Sequence, residues 1–384
     1  MSLTQKRIFG LDLVRAAAIS LVLVAHTIDI LFPLIKLPLI GPVLGKLIAV
    51  TYNLGVMGVE LFFCLSGFLI GGILIKTYLA TDRPEQDGLL HFWKMRWMRT
   101  LPAYYSVMLI IAVLNKYIFF LPTSFSFFIF TQNLVTPHPP VFGEAWSLSV
   151  EEWSYLTLPF LFYFLRRSRR KQELFLPLLC TYILALALLR LANAFHPLYE
   201  DFDKGIRKLV LFRLDAVAYG VLMAYFHFFH KERLKKLKLW LFIPGLCTVL
   251  FITVLNYLGT HPRFNYYNTS PGFKLGIDAF LYTLYPLCFS LTLPFAWYIR
   301  EPANKAIKAL ITQISLLSYS LYLTHAYIVL QLMRHYFPIS GIQQSVVFFI
   351  VYVFLAFSAA FLLHRLVEVP FLKWRDRTKH LLKT

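Results

Sequence analysis

The sequence predicts an all-α integral membrane protein, a bundle of about ten transmembrane helices with both termini cytoplasmic. Three observations carry that expectation. Of the 384 residues, 58% are hydrophobic and only 15% charged, with a mean hydropathy of +0.64, whereas a soluble fold carries about 25% charged residues. Apolar stretches near 20 residues, the length that crosses a hydrocarbon core, recur along the whole chain. The Lys and Arg between them alternate in density, as the excess of basic residues on cytoplasmic loops requires.

The predicted spans run over about 9–33, 54–76, 100–120, 146–165, 173–195, 209–229, 239–258, 276–299, 311–333 and 345–366. Lys6 and Arg7 give the first the look of a signal peptide. It is too long for one, contains Arg15 and lacks a small-residue cleavage site, so it is read as an uncleaved first helix. With that helix starting inside, the inner segments hold roughly three times the Lys and Arg of the outer ones. The clusters RRSRRK at 166–171 and HKERLKKLK at 230–238 dominate the bias. The segments 34–53 and 121–145 are rich in Gly or Pro, and the second reads as re-entrant or as lining a site that opens outward. The chain is one domain over 1–384, closing with a basic cytoplasmic tail over 367–384.

The net charge of +19 would suit a nucleic-acid partner, but in a membrane protein it is topology, and no nucleic acid is expected. Cys64, Cys180, Cys247 and Cys288 all fall in apolar runs, with neither metal-ligand spacing nor a disulfide framework. No metal is expected.

Ionisable groups at membrane depth are costly and face a cavity or a partner. Asp12, Arg15, His26, Glu60, Glu151, Glu152, Arg190, Arg213 and Asp215 are therefore the informative positions. Arg15 and His26 fall within about 20° of one helix face and about 16 Å apart along the axis. Asp12 and Asp29 lie one turn beyond each, so the first helix carries a polar stripe. His26 reads either as a buried histidine bonded to a neighbouring helix or as a base suited to neutral pH. Arg15 reads either as part of such a site or as the partner of Asp12. Lys94, Arg96 and Arg99 stand at the mouth of the third predicted span, where guanidinium forks suit phosphate groups and equally serve as positive-inside flanks.

Taken together these residues resemble the acyltransferase 3 family of integral-membrane acyltransferases. The resemblance begins at RIFGLDLVRAAAISLVLVAH, with Arg15 and His26 in an R-x10-H pattern. It continues through GVELFFCLSGFLI (58–70), RWMRTLPAYY (96–105), WSLSVEEWSYLTLP (146–159), FRLDAVAYG (212–220), SYSLYLTH (318–325) and LVEVP (366–370). The departures are Met95 where a basic residue is common, Trp153 and Ser154 within the EEQFY-type string, and the lack of the fused SGNH-type domain that many bacterial members carry.

The resemblance implies transfer of an acyl group, by default acetyl from acetyl-CoA, to a hydroxyl of a glycan or lipid-linked glycan, in the cytoplasmic (inner) membrane of a bacterium. Acyl-CoA is then a donor substrate rather than a tightly bound cofactor. His26 becomes the leading catalytic residue, with Arg15, Glu151 and Glu152 as candidate catalytic partners. Arg96 and Arg99 are placed at the donor, with Ser66 and Trp146 as further donor-binding candidates. Neighbouring helix positions differ by about 100°, so Glu151 and Glu152 are not both expected to point inward. The competing function is a secondary transporter using the same buried charges, whose sign would be paired broken helices in repeated halves.

Overall fold

The computed structural model describes residues 7–37, 54–81, 88–195, 203–260, 271–339 and 341–381, and these residues are overwhelmingly helical. α1 (Phe9–Thr27) runs on as a 3-10 turn over Ile28–Lys36. α2 (Leu54–Leu74) and α3 (Gly88–Leu114) each end in a π-turn, Ile75–Leu79 and Asn115–Phe119. α4 (Ala145–Leu165), α5 (Lys171–Phe195), α6 (Leu214–Phe229), α7 (Lys231–Thr260) and α8 (Pro271–Trp297) follow. α9 (Lys305–Thr324) passes through the π-turn His325–Leu330 into Gln331–Tyr336. α10 (Ile342–Leu363) leads through another, His364–Glu368, into α11 (Val369–Leu381). The chain is an all-α, multi-pass integral membrane protein.

Among the described residues nine helical stretches are long and apolar enough to cross a bilayer. α4 is not among them, because its first half, Ser147–Tyr155, carries two glutamates and three serines. That half is buried inside the bundle rather than set against lipid, so its polarity costs little.

Two segments differ most from the sequence expectation. α3 begins at Gly88, not near residue 100, so Arg96 and Arg99 lie more than two turns inside a helix rather than at its mouth. Charges cut the apolar run short, but the helix continues because its polar face meets protein. The basic tail is likewise a helix: α11 packs on α3, with Arg375 buried. Most of the 34–53 segment lies outside the described residues. By contrast 121–144 is folded back on the bundle: the Tyr104 and Tyr105 hydroxyls donate to the carbonyls of Phe127 and Phe128 at 2.8 and 2.9 Å, and Trp153 Nε1 donates to Phe130 O at 2.9 Å.

The most extensive helix contact is α2 against α6, and small residues permit it. A Cβ on Gly67 would stand 1.9 Å from the Val217 carbonyl oxygen, and one on Gly220 would stand 2.1 Å from that of Cys64. Membrane helices associate through such close backbone approach, since apolar burial gives them no advantage over lipid. Two buried ion pairs tie neighbouring helices to this core. Arg190 of α5 meets Asp215 of α6 at 2.7 and 3.0 Å and donates to Thr283 Oγ1 of α8 at 2.6 Å. Arg213 bonds Glu60 of α2 and the Tyr282 carbonyl at 3.1 Å. All four cysteines are free; Cys64 and Cys288 are buried, and Cys180 and Cys247 face outward.

Two outcomes follow from this frame. Asp215→Ala leaves Arg190 charged and unpaired in the core, and a loss of about 3–5 kcal/mol is expected, read as a lowered thermal midpoint of the detergent-solubilised protein. With the native cysteines replaced by alanine, cysteines at Arg169 and Lys235, both exposed, should label only after the cytoplasmic face is opened. One at the exposed Thr136 should label in intact cells, and the reverse pattern would invert the orientation.

Candidate functional site

A cavity of about 1030 Å³ runs between α1, α2, α3, α4, α9 and α11. On α2 alone its lining extends from Lys76 to Val59, about 25 Å at 1.5 Å per residue, against a hydrocarbon core of about 30 Å. Its mouth is ringed by Lys76, His91, His227, Lys231 and Arg375. This is the end where the 166–171 cluster lies, since Lys171 Nζ donates to the Thr81 carbonyl. Its waist holds Arg15, Arg96, Arg99, Ser66 and Glu151, and its deep end holds Phe62, Ser147 and Tyr322.

The three arginines at the waist differ in one respect. Arg15 Nη1 donates to Asp12 Oδ1 and Ser315 Oγ, both at 3.1 Å, and Arg7 caps the same aspartate at 2.6 and 2.8 Å. Arg96 donates to the Tyr155 hydroxyl, stacks 3.9 Å over that ring and stands 3.8 Å from Glu151 Oε2. Arg99 lines the cavity with no hydrogen-bond or ion-pair partner among the described residues. A half-buried guanidinium without a counter-ion is a place for an anionic group.

Glu151 and Glu152 diverge as neighbouring helix positions must. Glu151 lines the cavity, whereas Glu152 turns to Thr100, whose Oγ1 donates to it at 3.2 Å. Ser66 shares a hydrogen bond with the Tyr155 hydroxyl. Trp146 does not line the cavity; it packs edge-on to Phe63 at 6.0 Å, with the Arg207 guanidinium 5.0 Å from its ring. There Arg207 and Lys208 both bind Asp203. Burial works against that carboxylate, yet the two cations hold it below its usual range.

His26 lies beyond the deep end. Ser147 Oγ and the Tyr322 hydroxyl close the cavity at 2.5 Å, and one turn along α9 His325 meets His26, with 2.7 Å between His325 Nε2 and His26 Nδ1. The two rings are parallel within 13°. His325 is fully buried, while His26 is exposed. Glu144 supports this corner, its Oε1 accepting the Tyr327 N–H at 2.8 Å inside the π-turn. The polar stripe of α1 stops at His26. The helix tightens to 3-10 geometry from Ile28, and Asp29 turns to Arg334 at 2.5 Å.

Sequence reasoning passed over His325, Tyr322 and Glu144. The first two lie in the string SYSLYLTH, whose five hydroxyl residues ahead of a histidine were the available signal. Glu144 sits just outside a predicted span and carries no such sign.

The structure is thus an all-helical membrane bundle with a deep cavity, an arginine at its waist that has no partner among the described residues, and a histidine pair past its deep end. The chain belongs to the acyltransferase 3 family, described as an acyltransferase domain, which matches residues 8–365. Among curated proteins it is similar to the "O-acetyltransferase OatA" of Staphylococcus aureus, 26% identical over 360 residues, covering 87% of this chain and 55% of that protein. It is also similar to the "Peptidoglycan O-acetyltransferase OatA" of Listeria monocytogenes, 33% identical over 132 residues, 29% of this chain and 20% of that protein. The chain thus spans about half the length of the first of these relatives. No solved structure matches it.

Proposed function

We propose that the protein transfers an acetyl group from acetyl-CoA on the cytoplasmic side to a hydroxyl of a glycan or lipid-linked glycan at the outer face. The observation that carries this reading is the cavity itself, which joins a cationic mouth and the unpaired Arg99 to the neighbourhood of His26. A thioester carried on a charged nucleotide cannot cross a bilayer, so its phosphates stay with the basic groups while its acyl end reaches inward. The names of both relatives point to O-acetyl transfer.

In this reading His26 is the general base. It takes the acceptor hydroxyl proton as the oxygen attacks the thioester carbonyl; the C–S bond breaks, and the thiolate leaves with the proton that His26 returns. A positioned base contributes about 10²–10⁴-fold, so His26→Ala should lower transfer by that factor with acetyl-CoA affinity intact. Transfer is read with labelled acetyl-CoA and the full chain in nanodiscs, together with mass spectrometry of surface glycans from cells with and without it. A transporter would release or move label without forming an ester. Incubation with labelled acetyl-CoA and no acceptor should leave His26 unmodified; stoichiometric acetyl-His26 that added acceptor removes at a competent rate would replace the base by a nucleophile.

Donor binding separates the two arginines of α3. Arg99→Ala removes a charge-assisted contact of about 1.5–3 kcal/mol, a 10- to 100-fold loss of acetyl-CoA affinity by calorimetry. Arg96→Ala unpairs Glu151 and leaves the Tyr155 hydroxyl with Ser66 alone, so its expected effect falls more on the thermal midpoint than on affinity.

A further inference from the structure

The orientation of His26 can be worked out atom by atom. His325 opens the π-turn of α9, and its Nδ1 lies 2.9 Å from the Leu321 carbonyl oxygen and 3.0 Å from that of Tyr322. A carbonyl oxygen only accepts, so Nδ1 of His325 carries that ring's proton. The Nε2 of the neutral ring is then a bare lone pair. His26 Nδ1 stands 2.7 Å from this Nε2, and two lone pairs do not meet at that distance. His26 Nδ1 is therefore a donor, and the lone pair of its neutral ring is on Nε2. The parallel rings, 13° apart with centroids 4.9 Å from each other, suit a bond whose N–H and lone pair both lie in the ring planes.

We propose that His325 is a positioning residue for the transfer reaction, holding His26 as the Nδ1–H tautomer with the lone pair of Nε2 turned toward the acceptor. The inference rests on the reading of His26 as general base. The task usually given to a carboxylate beside a catalytic histidine falls here to a second imidazole, because the nearby acids are engaged elsewhere. Asp29 holds Arg334, Glu151 stands by Arg96, Glu152 accepts from Thr100, and Glu144 accepts from the Tyr327 backbone. A neutral partner fixes the tautomer without placing a counter-charge next to His26, so the proton gained from the acceptor is not trapped in an ion pair and remains available to the leaving thiolate. The π-turn is part of the device. Two consecutive carbonyls, Leu321 and Tyr322, converge on one ring nitrogen at the start of the π-turn, and such turns recur at functional sites.

The tautomer is tested directly on the full chain in nanodiscs, labelled with ¹⁵N-histidine, with the His26 signals assigned by difference against His26→Gln. The expected spectrum shows His26 protonated at Nδ1 and bare at Nε2. A proton on Nε2 in the unaltered chain would overturn the inference, whatever the activity proves to be. In His325→Ala, His26 should lose its Nδ1–H signature, and transfer should fall about 10²-fold with acetyl-CoA affinity unchanged. His325→Gln, whose amide oxygen can accept at nearly the same point, should recover transfer to within about tenfold. Equal losses in the Ala and Gln variants, or none in Ala, would reduce His325 to a packing residue. Absence of any acetyl transfer by the unaltered chain would instead remove the assignment of His26 as base, leaving the spectrum to judge the hydrogen bond alone.

Discussion

A charged side chain in hydrocarbon must find a partner or a cavity, and that single requirement organises this molecule. Leaving one partner of a buried pair alone costs about 3–5 kcal/mol, so most cations at membrane depth are spoken for. Arg190 has Asp215, Arg213 has Glu60, and Arg15 shares Asp12 with Arg7. These bonds also cross between helices: α5 to α6, α6 to α2 and, through Ser315, α1 to α9. The pairs that make charge tolerable thereby fix the walls of the cavity. Against that background Arg99 stands out, a guanidinium that the fold carries into the bundle and gives no counter-ion among the described residues.

Helix number and approximate place were legible because the length of an apolar run is a direct physical requirement of the bilayer. What apolar length cannot report is protein against protein. α3 starts twelve residues before its apolar run, α4 hides a polar half inside the bundle, and α11 is a helix with little apolar character. Each is stabilised by contacts that local sequence does not encode. At the site Glu151 lines the cavity and Glu152 turns to Thr100, a divergence that periodicity makes legible because adjacent positions on a helix point about 100° apart. Periodicity also set Arg15 and His26 on one face of α1, yet they serve different spaces, Arg15 the waist of the cavity and His26 the pair beyond its end. The partner of His26 was invisible for the reason that Arg99's solitude was: both depend on which helix comes to lie alongside.

The helix interruptions are not scattered at random. α2, α3, α9 and α10 all close in π-turns, and α1 closes in 3-10 geometry. In α9 the widened turn frees the Tyr327 N–H for Glu144 and collects two carbonyls on His325. A straight α-helix would spend the Tyr327 N–H on its own ladder, whereas the Leu321 carbonyl serves both the His325 backbone N–H and its ring. Local loss of helical regularity is thus what supplies polar anchors in a region where no water can do so.

The depth of the cavity has an electrical side. Its lining reaches most of the way through the hydrocarbon layer before Ser147 and Tyr322 meet across its end. Water standing in such a recess would carry the potential of the side it opens to inward with it, leaving most of the transmembrane voltage to fall across the thin partition between that closure and the opposite face. An elementary charge crossing the full potential gains or loses about 2.3 kcal/mol per 100 mV. The histidine pair occupies that partition, so any proton or anion moving there would do so in a field several times steeper than an intact bilayer sustains.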